Sequence, residues 1–248
     1  MISAEYITHS GNDLLVVNAA RASFGTRKTE SEFNATDIGL IKFLASGASS
    51  KDLAKFQEEL TKEELISVMR SLPTHWTPFA HPQITLVEKM PIFVARQRFK
   101  HTVGFVYNEI SRRYKTEGIE FYTPEILRER ADNVKQGSKD EAIQHNMVGL
   151  DLVRRNHDRC LVTYNDLLEM GVCAEQARAV LPQDMMITVW TTGSLYAFAK
   201  AFNSRIGFGA QKEISQLANK WDEIISPLFP VSWNALTQDA KKAAKLTR

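Results

Sequence analysis

Gln83-Ile84-Thr85-Leu86-Val87-Glu88-Lys89-Met90-Pro91-Ile92-Phe93-Val94-Ala95-Arg96-Gln97-Arg98-Phe99 changes its hydrophobic period midway, and that change points to the fold class. Ile84 and Leu86 alternate with polar neighbours, with Val87 out of phase, which predicts a strand over 83–89. Pro91 then suits the first turn of a helix whose apolar stripe is Ile92, Ala95, Phe99 and Val103. That stripe puts Gln97, Lys100 and His101 together on an adjacent face.

Towards the start of the chain, residues 4–9 and 13–19 are short, apolar and β-branched, with the turn formers Gly11, Asn12 and Asp13 between them, and they predict two strands. Ile38, Ile41 and Ala45 have helical spacing despite Gly39. Thr61-Lys62-Glu63-Glu64 is a capping box opening a helix to about Ser71, with Pro73 as its stop. Beyond the central stretch, polar residues 115–140 read as exposed and mobile, leading into helices at about 139–169 and 173–180, with Leu181-Pro182 as the break. Met185–Thr191 is a β-favouring run, and 194–205 and 209–225 read as helices separated by Gly207 and Gly209 and ended by Pro227 and Pro230. The tail from Ala235 to Arg248 fits either a short amphipathic helix or a frayed end. Strands on both sides of helical stretches, without a βαβ rhythm, predict an α+β single domain over residues 1–248.

With 248 residues, 44% hydrophobic and 24% charged, the chain has globular composition, which excludes a disordered or collagen-like protein. A net charge of +2 does not by itself imply a nucleic-acid or membrane partner. Cys160 and Cys173 form no CxxC pair and have no His at zinc-like spacing, so reduced thiols and no metal site are expected. His75 and His81 lack an acidic or cysteine partner at ligand spacing, and His145 and His157 carry no signal of their own. Trp190, Trp221 and the 13 phenylalanines read as core. With no leader-like start and no window of 18 uninterrupted apolar residues, a cytoplasmic location and no membrane partner are expected.

The densest polar cluster is Arg96-Gln97-Arg98-Phe99-Lys100-His101, continued by Asn108-Glu109-Ile110-Ser111-Arg112-Arg113-Tyr114. Arginine forks suit phosphate oxygens, and a carboxylate such as Glu109 can accept from a ribose hydroxyl. A solvated, salt-bridged helix face would have the same composition. Thr192-Gly193-Ser194, entering a helix, reads either as an anion site or as an ordinary N-cap.

These residues resemble the flavin-dependent thymidylate synthases, whose signature is Arg-His-Arg, seven residues, then Ser, within a stretch ending Asn-Glu-x-Ser-x-Arg-Tyr. Ala20-Arg21-Ala22-Ser23, His75-Trp76-Thr77-Pro78-Phe79-Ala80-His81, Arg178-Ala179-Val180-Leu181-Pro182, and Arg205 followed by Ala210-Gln211-Lys212-Glu213-Ile214 resemble four further family elements in the same order. Three departures stand out. Lys100-His101-Thr102 replaces Arg-His-Arg, eight residues precede Ser111, which leaves the register of 100–106 open by one residue, and Ala80 replaces a glutamate.

The resemblance implies conversion of dUMP to dTMP, with methylenetetrahydrofolate giving the one-carbon unit and reduced FAD, recharged by NADPH, giving the hydride. It also implies a mainly antiparallel sheet packed against helices and a homotetramer whose active sites combine several chains. The positions matching the family's dUMP ligands are Gln97, Lys100, Glu109, Ile110, Ser111, Arg112, Arg113, Arg178 and Arg205, and Arg205 is the expected catalytic cation beside the uracil ring. His75, Thr77, Lys100, His101, Thr102 and Glu109 match FAD contacts, joined by Ser194, Tyr196 and Lys200. Ser111 has no adjacent base and reads as a ligand for dUMP rather than a nucleophile. Two other readings stand beside this one. In the first, the 96–113 cluster binds nucleic acid with Tyr107 and Tyr114 as stacking platforms. In the second, Lys100, Thr102 and Ala80 leave a homologue that binds nucleotide without turning it over. For Arg205, the bland alternative is an ion pair with Glu213.

Overall fold

A computed structural model describes residues 1–132, 137–207 and 209–246. In chain order the elements are β1 (Ser3–Ser10), α1 (Asp13–Arg21), α2 (Ala35–Ser46), α3 (Ser50–Glu59), α4 (Lys62–Ser71), β2 (Gln83–Pro91), α5 (Ile92–Arg98), β3 (Phe105–Glu109), β4 (Arg128–Arg130) and β5 (Ser138–Ala142). They continue with α6 (Asn146–Glu169), α7 (Ala174–Ala177), β6 (Met186–Ser194), α8 (Leu195–Ile206), α9 (Lys212–Leu228) and α10 (Pro230–Leu246). The main sheet runs β1-β2-β6-β3, with every pairing antiparallel, so β2 and β6 lie at its centre. Antiparallel strands can leave one face solvated, and the alternation of β2 shows this arrangement. Ile84, Leu86, Glu88 and Met90 are buried, while Thr85, Val87 and Lys89 are partly exposed. Phe198, Phe202, Leu217, Trp221, Ile225 and Trp233 from α8, α9 and α10 complete the core against that inner face. No helix among the described residues is long and apolar enough to cross a membrane.

The α+β class and the antiparallel sheet match expectation, as do the strands at 83–89 and 185–191 and the capping box at Thr61, whose hydroxyl and backbone both engage Glu64. Residues 13–19 differ, because they form α1 rather than a second strand. Asn12 caps the helix by accepting from the Leu15 amide at 3.3 Å, and the Val16/Val17 pair with Ala20 turns one helical face to the core. Capping and spacing outweigh β-branched propensity here. The Asp13 carboxylate in that first turn accepts from the Val231 and Ser232 amides, each at 2.9 Å, and so satisfies the start of α10.

Helix α5 stops at Arg98 instead of reaching Val103, which is exposed. The Phe99 amide closes on the Ala95 and Gln97 carbonyls, and Gly104, at φ +79, reverses the chain into β3. Residues 139–145 are not helical either. Ser138–Ala142 pairs with Arg128–Arg130, held by Arg128 Nε donating to Ser138 Oγ at 2.8 Å, and α6 begins at Asn146. Within 115–140, Ile119, Phe121 and Tyr122 pack against the core rather than lying free, and 133–136 fall outside the described residues. Pro227 sits inside the last turn of α9, and Pro230 opens a helix instead of ending one. The tail continues α10 with Trp233, Thr237 and Ala244 buried, while 247–248 fall outside the described residues. Trp190 and Phe24 are exposed, correcting the reading of every such ring as core.

Candidate active site

At the inner face of the sheet, Glu88 and Arg98 form an ion pair with no exposed side-chain surface. Arg98 donates through Nε to Oε2 at 3.0 Å and through Nη2 to Oε1 at 3.2 Å. The same carboxylate accepts from Trp221 Nε1 at 2.7 Å and Thr191 Oγ1 at 2.9 Å, so both oxygens are satisfied. Four rings, Phe105, Trp221, Tyr107 and Phe198, lie 4.3–5.6 Å from the guanidinium carbon. Phe105 can lie there because its partner across the ladder is Gly193, where a Cβ would stand 2.3 Å from the ring. The remaining nitrogen, Arg98 Nη1, donates to Tyr107 Oη at 2.7 Å, and Tyr107 donates to the His101 carbonyl at 2.5 Å.

His101 and Arg205 meet at the mouth of this buried pair. Arg205 Nε donates to His101 Nε2 at 3.0 Å and Nη2 to the Gln97 carbonyl at 3.0 Å, while Nη1 has no partner within the described residues. Arg205 therefore does not pair with Glu213, whose carboxylate binds Arg128 Nη2 at 2.8 Å and Gln211 Nε2 at 2.9 Å. Gln97 reaches that network through its own bond to Gln211 Oε1. Burial, reinforced by the charges of Arg205, Arg98 and Lys200, lowers the His101 pKa to about 4, so the ring is neutral near pH 7 and its Nε2 can accept from Arg205. Burial also lowers the Arg205 pKa.

The His101 shift has a signed consequence for stability. Between pH 6.5 and 4 the unfolded chain holds a proton on this ring that the folded chain does not, so stability falls as pH drops through that window. In His101→Gln, thermal unfolding followed over this range should lose that part of the pH dependence; an unchanged slope would contradict the shift.

Around this centre the structure gathers several positions matched to FAD. His75 tilts against Phe43 at 5.5 Å and precedes the turn that contains Thr77. Tyr196 stacks on the exposed ring of Trp76 at 5.4 Å. Lys200, one turn beyond Tyr196 on α8, is exposed and acts on His101. Lys100 and Thr102 flank His101 and are also exposed. Ser194 is buried and accepts from the Ala197 amide at 3.1 Å as the N-cap of α8. Trp76, the most ring-like surface here, is flanked by His75 and Thr77 in the very motif that pointed to this place.

A second cluster lies at the far end of β3, which spans roughly 13 Å from Phe105 to Glu109. Desolvation raises the Glu109 pKa against the pull of Arg178 and Arg112. Ile110 donates its amide to the Thr188 carbonyl at 3.0 Å, and Ser111 Oγ accepts from the Arg113 amide at 3.2 Å. Arg113 pairs with Glu175, and Arg178 Nε reaches the Glu175 carbonyl at 3.4 Å. Arg112 is spent on the Lys115, Glu117 and Gly118 carbonyls of its own loop. One chain thus brings Gln97, His101, Arg205 and Lys200 together at one end of β3, and Glu109, Ser111, Arg112, Arg113 and Arg178 at the other. Among the described residues, no group of three or more His, Cys, Asp or Glu could hold a metal ion.

Comparison with known proteins bears on both clusters. The family model described as Thymidylate synthase complementing protein matches residues 5–231. A flavin-dependent thymidylate synthase of Thermus thermophilus is 32% identical over 98% of this chain and 78% of its own length. Another, from Thermotoga neapolitana, is 30% identical over 96% and 92%. The solved structure of the UMP/dUMP methylase PolB from Streptomyces cacaoi, bound with 5-Br dUMP, superposes with a TM-score of 0.75 at 23% identity, covering 100% of this chain and 98% of that one. That last likeness speaks for the fold.

Proposed function

Because the chain belongs to the family of flavin-dependent thymidylate synthases, we propose that it methylates dUMP to dTMP in the cytoplasm, as a single-domain subunit spanning 1–248. The observation that carries this reading is Arg205: a guanidinium locked by a neutral imidazole and a backbone carbonyl, with Nη1 left to meet a ligand. Placed beside the pyrimidine, that cation stabilises negative charge developing at N3 and O4, which makes C5 nucleophilic. Ser111 and Arg113 hold the phosphate, with Gln97, Lys100, Ile110, Arg112 and Arg178 lining the remaining dUMP contacts and Glu109 accepting from the ribose.

The donor set near His101 fits FAD. The cations Lys100 and Lys200 suit its diphosphate, the Trp76–Tyr196 pair and His75 offer flat surfaces to its rings, and Thr77, Thr102 and the 194 turn supply further polar contacts. When bound, reduced FAD supplies the hydride, methylenetetrahydrofolate the one-carbon unit, and NADPH recharges the flavin. Lys100 brings a point charge where the family has an arginine fork.

The separation of the two clusters along β3 favours a homotetramer in which Arg205 of one subunit works with Arg113 and Arg178 of others. The outer face of the sheet supports such an assembly, since Trp190 and Val106 stand 48% and 64% exposed on it. The basic 96–113 cluster offers less to nucleic acid than its composition suggests, because Arg98 is buried in its pair with Glu88 and the Tyr107 hydroxyl is taken up by Arg98 and the His101 carbonyl.

Release of tritium from C5-labelled dUMP in the presence of methylenetetrahydrofolate, FAD and NADPH tests the reading. No release by flavin-loaded protein would overturn it. In the same assay Arg113→Ala should cost about 2 kcal/mol of phosphate binding, some 30-fold in the dUMP concentration required. An unchanged requirement would remove Arg113 from the phosphate.

A further inference from the structure

We infer that Tyr107 is a positioning residue for Arg205, tying the buried Glu88–Arg98 pair to the peptide that carries the His101 ring; this rests on the reading of Arg205 given above. The connection is continuous. Glu88 fixes Arg98 through three hydrogen bonds, and Arg98 Nη1 donates to Tyr107 Oη at 2.7 Å. Tyr107 Oη donates to the His101 carbonyl at 2.5 Å, and His101 Nε2 accepts from Arg205 Nε at 3.0 Å. The hydroxyl is committed on both sides: it accepts from a cation that cannot turn and donates to a carbonyl in the short loop between α5 and β3.

That loop needs such a tie. Helix α5 has ended at Arg98, Lys100, Thr102, Val103 and Gly104 are exposed, and Gly104 takes a positive φ. The loop backbone is held at its start by the Lys100 and His101 amides, bonded to the Gln97 and Arg98 carbonyls at 3.4 and 3.2 Å, and at its end by the Phe105–Thr102 turn and the Ser194 amide donating to the Gly104 carbonyl at 3.1 Å, which leaves the His101 carbonyl between them to Tyr107. Burial raises the Tyr107 pKa to about 12, so the hydroxyl keeps the proton it donates. The charges facing His101 are those of Arg205 and Lys200 on α8 and Arg98 on α5, and the ring is held among them without a carboxylate partner. A small rotation of the 101 peptide would release Arg205 Nε, and with it the direction of Nη1. Glu88 and Arg98 touch none of the proposed ligands, and the interior pair serves as the anchor of an active-site angle.

Tyr107→Phe removes one oxygen from this path. Two readouts on the full-length holoprotein decide it: the His101 titration midpoint, followed by ring 13C NMR and assigned by its loss in His101→Gln, and kcat against KM in tritium release from C5-labelled dUMP. The expected result is a His101 midpoint raised by about one pH unit towards its ordinary value, with kcat down about tenfold to a hundredfold and little change in the KM for dUMP or in flavin content. A lower Tm with kcat and midpoint unmoved would overturn the proposal, leaving Tyr107 a purely structural residue. A fall in kcat with the midpoint unmoved, or a moved midpoint with kcat intact, would overturn it as well, because the effect would not pass through the ring to Arg205. Should Tyr107→Phe fail to fold, the Tyr107 hydroxyl proton of the unmodified protein decides: a slowly exchanging NMR resonance coupled across the hydrogen bond to the His101 carbonyl carbon supports the proposal, and a hydroxyl in fast exchange with water overturns it. If Arg205→Ala proves fully active, the reading of Arg205 fails, while the titration still reports whether Tyr107 holds the ring.

Discussion

Arg205→Ala should lose dTMP formation by about 10³-fold while the purified protein keeps the visible absorbance of bound flavin, because the guanidinium is placed to act on the pyrimidine rather than to hold the cofactor. The size follows from what is removed. Arg205 Nε and Nη2 are already committed to His101 and the Gln97 carbonyl, so its free Nη1 meets developing charge without reorganising. Lys at this position restores a charge but not the fork that rests on two fixed acceptors, so Arg205→Lys should recover little. Full tritium release from C5-labelled dUMP by the alanine variant would remove Arg205 from the chemistry.

Glu88→Ala should destabilise the fold by about 3–5 kcal/mol, the second large effect, because it leaves the Arg98 charge buried and uncompensated. It also strands the Trp221 and Thr191 donors that end on the same carboxylate. Denaturant unfolding reads this directly, and a loss below about 1 kcal/mol would mean that water or a rearranged side chain reaches Arg98. Replacing both partners by apolar residues, Glu88→Leu with Arg98→Met, should recover much of the loss, since a buried pair and a well-packed apolar pair differ far less than a pair and half a pair.

Features encoded by neighbouring residues are legible in the sequence itself. The Thr61–Glu64 capping box and the alternation over 83–89 are local, and both formed as read. Leu14–Val17 reads as a strand yet forms a helix, because β-branched composition says nothing of the cap at Asn12. Pro230 opens a helix where the sequence suggests an end for a related reason: a proline ending one helix and a proline opening the next look alike in sequence, and the Asp13 carboxylate that satisfies the new helix lies more than 200 residues away.

The site was legible unevenly. His101 and Arg205 are 104 residues apart, and no spacing rule joins them; the resemblance alone puts both in one active site, His101 against FAD and Arg205 against dUMP. Glu88 was readable in principle, since it shares the buried phase of Ile84 and Leu86, and Arg98 follows Val94 and Ala95 by helical spacing. Two opposite charges in apolar phases ten residues apart are a signal that counting polar clusters passes over. Tyr107 reads in the sequence only as a stacking platform, because the hydrogen bonds that commit its hydroxyl depend on the turn at Gly104, three residues earlier.

The clasp of Asp13 on Val231 and Ser232 carries one more consequence. During synthesis, the first hundred residues emerge with a carboxylate whose amide donors among the described residues, Val231 and Ser232, have yet to be made, and a chain truncated ahead of residue 230 keeps it so. The opening strand and helix therefore gain their final stability only once α10 docks, and fragments lacking that helix should fall to proteases as loosely closed species rather than persist as a smaller native fold.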